Sequence, residues 1–345
     1  MGIKRLKLEN FTAFEWTEME FTPGINVFLG ANGTGKSHAL KVLYALAHVP
    51  MFAGDVTSDA QVTANLKGCF KPEGNSVSRL VREHDEQGIA EVTVDYALGG
   101  IGMWLGSDDS HDVTPSPGTE HFPTVFIPSR ELLSMYEGFV GAYSKRELSF
   151  DQTYFDACVA LNAQPLIGAG AEFAATLTQS LEEAIGGKVV LDGERFSVKS
   201  EGSRFEAHLI GEGLRKLAAL VRLIQNGTIT RGGVLFWDEP ESNLNPKLTT
   251  IVADLLVKLA EHGVQVFIAT HDYLLSNRLS LLSEYDQAPK APIRFFAFYR
   301  QSASAPVTVE SGKTLAELPE DPIVDEFAKH YDFERQLFAA KTDAK

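Results

Sequence analysis

The chain has 345 residues, long for a single packed core, and its 44% hydrophobic and 22% charged residues belong to a folded globular protein, not a disordered or fibrous one. No run reaches the roughly 18 apolar residues of a spanning helix, so no membrane role is expected. The net charge of −15 argues against a broad grip on duplex DNA, which draws on a basic surplus; a local nucleic-acid contact, a basic partner or a groove formed on dimerisation stays open beside plain solubility.

Met1-Gly2-Ile3-Lys4-Arg5 leads straight into strand-like sequence with no signal-peptide pattern, and Cys69 and Cys158 lie far apart without metal-ligand spacing. Both cysteines are expected to be reduced packing residues, and the protein cytoplasmic. Residues 3–29 read as two strands leading to the turn Pro23-Gly24, after which the apolar run Ile25–Leu29 has the look of a buried strand. A helix carrying Ala39, Leu40, Val42, Leu43 and Leu46 runs to about Ala47. Residues 55–120 are mixed: Glu91–Tyr96 alternates like a strand, and Gly106–Gly118 reads as a loop. Thr124–Pro128 is a short strand ending at Ser129-Arg130-Glu131.

Residues 131–186 are mostly helical in pattern. Phe173, Leu177, Leu181 and Ile185 form one stripe, and Tyr154, Cys158 and Leu161 another. A β-ribbon follows, Lys188–Leu191 and Arg195–Val198 about an Asp192-Gly193 turn. Residues 214–226 return to helix with Leu217, Val221 and Ile224 on one face. Val234–Asp238 is a buried-type strand, 247–261 a helix, and Val264–Ala269 another buried-type strand. Arg294–Tyr299 reads as a late strand, 314–340 as a helix, and Lys341–Lys345 as a frayed polar tail. The expected architecture is an α/β P-loop fold with a β-rich N-terminal part and a helical insertion. The expected divisions are 1–130, 131–204 and 205–345.

The most specific motif is Gly30-Ala31-Asn32-Gly33-Thr34-Gly35-Lys36-Ser37, which fits G-x-x-x-x-G-K-[ST] between a strand and a helix. Gly30, Gly33 and Gly35 let the backbone curl so that N–H groups point toward phosphates at a helix N-terminus, and Asn32 and Thr34 are expected in the same nucleotide-binding loop. Lys36 would reach the β- and γ-phosphates of ATP, and the Ser37 hydroxyl would ligate Mg²⁺. Val234–Glu239 ends an apolar strand in two carboxylates; Asp238 would join the Mg²⁺ shell and Glu239 poise the attacking water. That strand would lie beside the phosphate loop. His271 ends the next buried strand, where it could sense a γ-phosphate. Gly211-Glu212-Gly213 opens a helix and offers a second anion-binding N-terminus, which makes sense if it closes over the nucleotide of another subunit.

These four pieces, in this order, resemble the ATP-binding-cassette (ABC) ATPases. More narrowly they resemble the cytosolic branch of SMC-like heads, RecF and the overcoming-lysogenisation-defect ATPases, with the stand-alone AAA_21/AAA_15-like ATP-binding proteins. Gly30–Ser37 matches Walker A, Gly211–Gly213 the signature, Phe236–Pro240 Walker B with its glutamate, and His271 the switch histidine. Leu8–Phe14 resembles the first strand of that branch, and Glu241–Pro246 its D-loop. Three motifs depart from the family: Gly211 replaces the signature serine, Ser129 and Arg130 stand where a Q-loop glutamine is expected, and Asn245 replaces the D-loop aspartate. The resemblance implies an ATP-dependent homodimer, or a higher assembly, that sandwiches two nucleotides and reopens on hydrolysis.

About 170 residues separate the phosphate loop from Gly211, which is too few for a long coiled coil. The stretch after His271 is too short for a Toprim nuclease domain. The first reading is therefore an ATPase switch gating a separately encoded effector, as in anti-phage defence or toxin-type systems, with 131–186 as partner surface. The second is a RecF-like DNA repair ATPase, for which Lys145-Arg146 and Arg215-Lys216 are the compact basic pairs. A third is a non-hydrolysing ATP-gated scaffold, against which Glu239 speaks. A transporter subunit fits least.

Overall fold

Alternation governs the N-terminal region. In β1 (Ile3–Phe11) Ile3, Leu6, Leu8 and Phe11 point inward, and β2 (Phe14–Glu20) pairs back on it antiparallel. The computed structural model describes residues 2–48, 59–82, 88–116, 121–145, 147–285, 291–302, 305–320 and 322–343. Arg146, Gly118 and the last two residues of the expected tail lie outside the described residues.

β3 (Ile25–Gly30) is buried at every position, as the apolar run Ile25–Leu29 leads one to expect, and follows β1 and β2. The helix α1 (Lys36–Ala47) follows, then α2 (Asp59–Phe70), whose Val62, Leu66 and Cys69 are buried. β4 (Ile89–Tyr96), β5 (Gly100–Gly106) and β6 (His111–Pro115) complete a five-stranded antiparallel sheet in the order β2-β1-β4-β5-β6. The expected loop Gly106–Gly118 thus contains a strand; ladder bonds to β5 hold it although only Val113 among its residues is buried. β7 (Thr124–Ile127) belongs to a second sheet.

The insertion contributes α3 (Phe139–Ser144), α4 (Gln152–Leu161) and α5 (Ala169–Ile185), then the ribbon β8 (Lys188–Asp192) and β9 (Arg195–Ser200). The ribbon turn falls after Asp192, at Gly193 and Glu194, and a third strand, β10 (Ser203–Glu206), extends it. Leu177, Leu181 and Ile185 are buried as expected, but Phe173 is half exposed, its ring packed on His262 at the outer rim. Tyr154, Cys158 and Leu161 share one core with Leu217, Leu220 and Ile224 of α6 (Glu212–Gln225) and with Val252 and Leu256 of α7 (Pro246–Glu261).

The remaining elements are β11 (Val234–Asp238), β12 (Gln265–Thr270), α8 (Tyr273–Tyr285), β13 (Ile293–Tyr299), β14 (Thr308–Gly312) and α9 (Pro322–Asp343). A short turn of helix at Leu315–Glu317 precedes α9, so the expected 314–340 helix starts later and runs into the expected tail. The second sheet has the order β14-β13-β3-β12-β11-β7, parallel except for edge strand β14.

This sheet is covered on both faces, which explains its continuous apolar strands. Val27, Leu235, Trp237 and Ile268 point into the core with α5, α6 and α7; Phe28, Phe236, Phe267 and Phe296 point to α1 and the antiparallel sheet. Each fully buried Phe side chain is worth on the order of 2 kcal/mol. Phe21 packs edge-on against Phe267 at 4.9 Å and joins the two sheets. Gln265 closes the junction, since its amide donates to the Ile3 carbonyl and accepts from the Ile3 N–H. Cys69 and Cys158 are free and fully buried, as packing residues should be. Among the described residues, no helix is long and apolar enough to cross a membrane.

Candidate functional site

Parallel pairing brings three strand ends to one edge. Thr270 of β12 is level with Leu29 of β3, and Asp238 of β11 is level with Ala269 of β12. Gly30, His271 and Glu239 therefore leave the sheet side by side at the carboxyl ends of its strands, where open α/β sheets hold their ligands. β12 lies between β3 and β11, so the acidic strand is one place removed from the phosphate loop, not adjacent as expected.

The loop after β3 needs left-handed backbone. Gly33 and Gly35 have φ of 79° and 86°, and a Cβ on Gly35 would stand 2.8 Å from the Phe14 ring. Gly35 is the N-cap of α1, supplies no side chain to cap it, and no acidic residue occupies the first turn. The opening N–H groups of α1 are thus left to accept an anion. Lys36, 8% exposed, donates from Nζ to the carbonyls of Gly30 at 2.7 Å and Ala31 at 2.8 Å. Burial lowers its pKa, and the charges of Asp238, Glu239 and Glu241 oppose that shift. Thr34 Oγ1 donates to the Ala31 carbonyl at 2.8 Å and tightens the loop, while Asn32 is exposed at its crest.

Ser37 on α1 lies beside the Asp238 carboxylate. Burial raises the pKa of Asp238 and the neighbouring Glu239 adds to that, while Ser37 and the Lys41 and Lys36 charges pull it down. A hydroxyl and a carboxylate meeting beside a phosphate loop fit Mg²⁺, which prefers few protein oxygens and keeps water and phosphate in its shell. Among the described residues there is no group of three or more His, Cys, Asp or Glu that could cage a metal by itself.

Glu239 has a φ of 48°, which is strained for a side-chain-bearing residue. Its N–H donates to the Ala269 carbonyl at 2.8 Å. Its carboxylate is one-third exposed and its Oε1 lies 3.4 Å from His271 Nδ1. The His271 N–H donates to Glu241 Oε1 at 3.2 Å, which fixes where the ring starts. Glu241 is 7% exposed, and burial raises its pKa.

Gly211 and Gly213 open α6 as expected, and no side chain caps that helix. Gly213 packs against Asn243 and Leu244, and Asn243 Nδ2 donates to Glu212 Oε1 at 2.8 Å. The space around Gly211 is open. Asn245 caps α7 by accepting from the Leu248 N–H at 3.1 Å, with Pro246 at the first helical position.

Sequence reasoning missed Lys216. The pair Arg215-Lys216 does not face solvent: Arg215 pairs with the buried Glu131 at 3.0 Å, and Lys216 is 3% exposed with bonds to Ser129, Glu239 and Ser242. The signal was its position, since Lys216 sits beside Leu217 on the stripe of α6 that also carries Gly213 and Leu220.

A family described as "AAA domain, putative AbiEii toxin, Type IV TA system" matches residues 131–277, and one described as "AAA ATPase domain" matches residues 1–97. The DNA replication and repair proteins RecF of Salmonella arizonae and Salmonella typhimurium are 31% identical over 99 residues, which is 28% of this chain and 28% of theirs. The match therefore spans little more than a quarter of those relatives. Among solved structures, the SMC head domain from Thermotoga maritima is similar with a TM-score of 0.52 and 14% identity, over 89% of this chain and 98% of that one. An Smc head with an extended coiled coil, from Pyrococcus furiosus and bound to the C-terminal domain of ScpA, has a TM-score of 0.51 and 12% identity over 97% and 100%. These structural likenesses give the fold.

Proposed function

We propose, from the premise that the chain is an ABC-type P-loop ATPase of the SMC and RecF branch, that it is an ATP-hydrolysing switch which pairs with a second copy around ATP and gates a separate effector. The observation that carries this reading is the convergence of Lys36, the neighbouring Ser37 and Asp238, and the pair Glu239 and His271 at one sheet edge. Lys36 would exchange its loop carbonyls for the β- and γ-phosphates. Ser37 and Asp238 would hold Mg²⁺, which would offset charge on the transferred phosphoryl group. Glu239 would orient the attacking water, and His271 would hold the Glu239 carboxylate and contact the γ-phosphate. Gly211 and Gly213 would meet the nucleotide bound to the second copy.

The description of the family matching 131–277 names a putative toxin system, which supports an effector of that kind. Val159, Ile167 and Phe173 are exposed on the helical insertion and suit a partner surface. RecF-like DNA binding is the second reading, favoured by the 31% identity over 99 residues. The −15 charge and the inward-facing Arg215 and Lys216 weigh against it. A non-hydrolysing scaffold would have no use for Glu239.

Phosphate release and light scattering test the reading together. Glu239→Gln should stop turnover and trap an ATP-bound dimer, while Lys36→Ala should lose nucleotide binding. A Glu239→Gln protein that stays monomeric at saturating ATP overturns the sandwich. A Lys36→Ala protein that still binds overturns the phosphate loop. Capture of the trapped form then separates the two settings: a co-purifying toxin-like or nuclease protein supports effector gating, and nucleic acid supports the RecF-like alternative.

A further inference from the structure

We propose that Lys216 is a positioning residue that couples the helix opening at Gly211–Gly213 to the backbone that aims Glu239. The inference deepens the ATP-switch reading and rests on it. Lys216 is 3% exposed, and its Nζ donates to the Ser129 carbonyl at 3.0 Å, to the Ser242 hydroxyl, and to the Glu239 carbonyl. An ammonium carries three donors, and these bonds use all of them. The cation also lies over the Trp237 ring, 5.9 Å from its centroid.

Glu239 is clamped from both sides in its left-handed conformation, its N–H by the Ala269 carbonyl and its own carbonyl by Lys216. Strained backbone of this kind persists only where its surroundings over-determine it. The clamp decides where the Glu239 carboxylate points, and one jaw of it rides on α6. Two further contacts fasten α6 to the same loop: Gly213 against the Asn243 carbonyl, and Glu212 bonded to Asn243. A force on the N-terminus of α6, such as a phosphate of a second copy docking there, therefore reaches Glu239 through a single helical turn.

The link extends to the end of β7. The Ser129 carbonyl accepts from both Lys216 Nζ and Ser242 Oγ, the latter at 3.0 Å. Ser129 stands where the family places a Q-loop glutamine, so here the connection runs through a main-chain oxygen. A cation that only neutralised the nearby acids would need none of these three acceptors in particular.

The test compares wild type, Lys216→Met and Lys216→Arg by three measurements: affinity for a fluorescent ATP analogue, kcat and KM for ATP hydrolysis, and amide hydrogen exchange without nucleotide. The expected result for Lys216→Met is affinity within about threefold of wild type, kcat lower by about tenfold or more, and faster exchange confined to 239–244. Lys216→Arg keeps the charge and donors and should regain most of the kcat. Unchanged kcat in Lys216→Met, or faster exchange spread over α6 and β12 with lost binding, overturns the proposal. If Lys216→Met does not fold, Ser242→Ala keeps the cation and removes one acceptor; it should lower kcat about threefold at unchanged affinity, and an unchanged kcat overturns the coupling. If wild type hydrolyses no ATP, the switch reading falls, while the exchange contrast at 239–244 still decides whether Lys216 clamps Glu239.

Discussion

His271 Nδ1 lies 3.4 Å from Glu239 Oε1 and 3.7 Å from Glu241 Oε1, so one imidazole stands between two carboxylates. Glu241 is buried and holds the His271 backbone; the Glu239 carboxylate is partly exposed. In the proposed switch, Glu241 would place the ring and Glu239 would use it. Replacing His271 by Ala should slow phosphate release by about 10- to 100-fold and leave nucleotide affinity within about threefold. Steady-state kinetics beside a binding titration reads both. A large loss of affinity with unchanged kcat would mean that His271 only holds substrate.

Gly211 and Gly213 are two residues apart and should respond to substitution in opposite ways. A Cβ on Gly213 would meet the Asn243 carbonyl oxygen at 2.4 Å and Leu244 Cδ2 at 3.0 Å, while one on Gly211 meets nothing within 4 Å. Gly213→Ala should push α6 off the 243–244 segment and cost about 1–3 kcal/mol in denaturant titrations. Gly211→Ser should be nearly neutral in stability. It adds a hydroxyl at the helix opening and should strengthen ATP-dependent pairing in light scattering. Equal destabilisation by both would contradict the packing at Gly213.

The placement of Gly30–Ser37, the Asp238-Glu239 pair and His271 at strand ends was legible because each ends or follows an uninterrupted apolar strand, and such strands announce their ends. The helices at 36–47, 212–225 and 246–261 were legible from buried residues recurring at helical spacing. β6 and β10 were not: Val113 is the one buried residue of β6, and every residue of β10 is exposed, so ladder bonds to a neighbour hold them without an apolar pattern. The clamp on Glu239 was hidden for another reason. Two acceptors of Lys216 are main-chain carbonyls from segments 87 and 23 residues away, and a carbonyl has no letter in the sequence. The strand order was also out of reach, because an apolar run does not say which strand it lies beside.

Asn245 departs from the family at the D-loop, and its side chain has a local use here. Its Oδ1 accepts from the Leu248 N–H at 3.1 Å and caps α7. Asp caps about as well as Asn, while Ala cannot. Asn245→Ala should therefore cost about 1 kcal/mol, and Asn245→Asp should be close to neutral in the same unfolding assay. If Asn245→Asp changes turnover at unchanged stability, the residue also acts at the nucleotide.

The contact between α1 and α4 predicts an unusual response to pH. His48 Nε2 lies 3.7 Å from Asp156 Oδ2, and Tyr44 donates to the same carboxylate at 2.9 Å. Burial lowers the His48 pKa from 6.5 to about 4 and raises that of Asp156 from 3.8 to about 6. Of the other groups facing the pair, Lys41 is ion-paired with Asp151, and burial pushes the pKa values of Tyr44, Cys69 and Tyr143 upward, away from this window. The depressed His48 contributes stability above pH 6.5 that is lost as pH falls toward 4. The raised Asp156 contributes stability below pH 3.8 that is lost as pH rises through 6. Each is worth about 3 kcal/mol, and the two slopes oppose each other across the same interval. Wild type should therefore show little slope from this pair between pH 4 and 6.5. Asp156→Asn removes one side of the balance, so its stability should climb steeply over that interval as His48 alone sets the slope. Denaturant titrations at pH 4.5, 5.5 and 6.5 read the difference, and parallel curves for wild type and Asp156→Asn would show that the two groups do not share the interval.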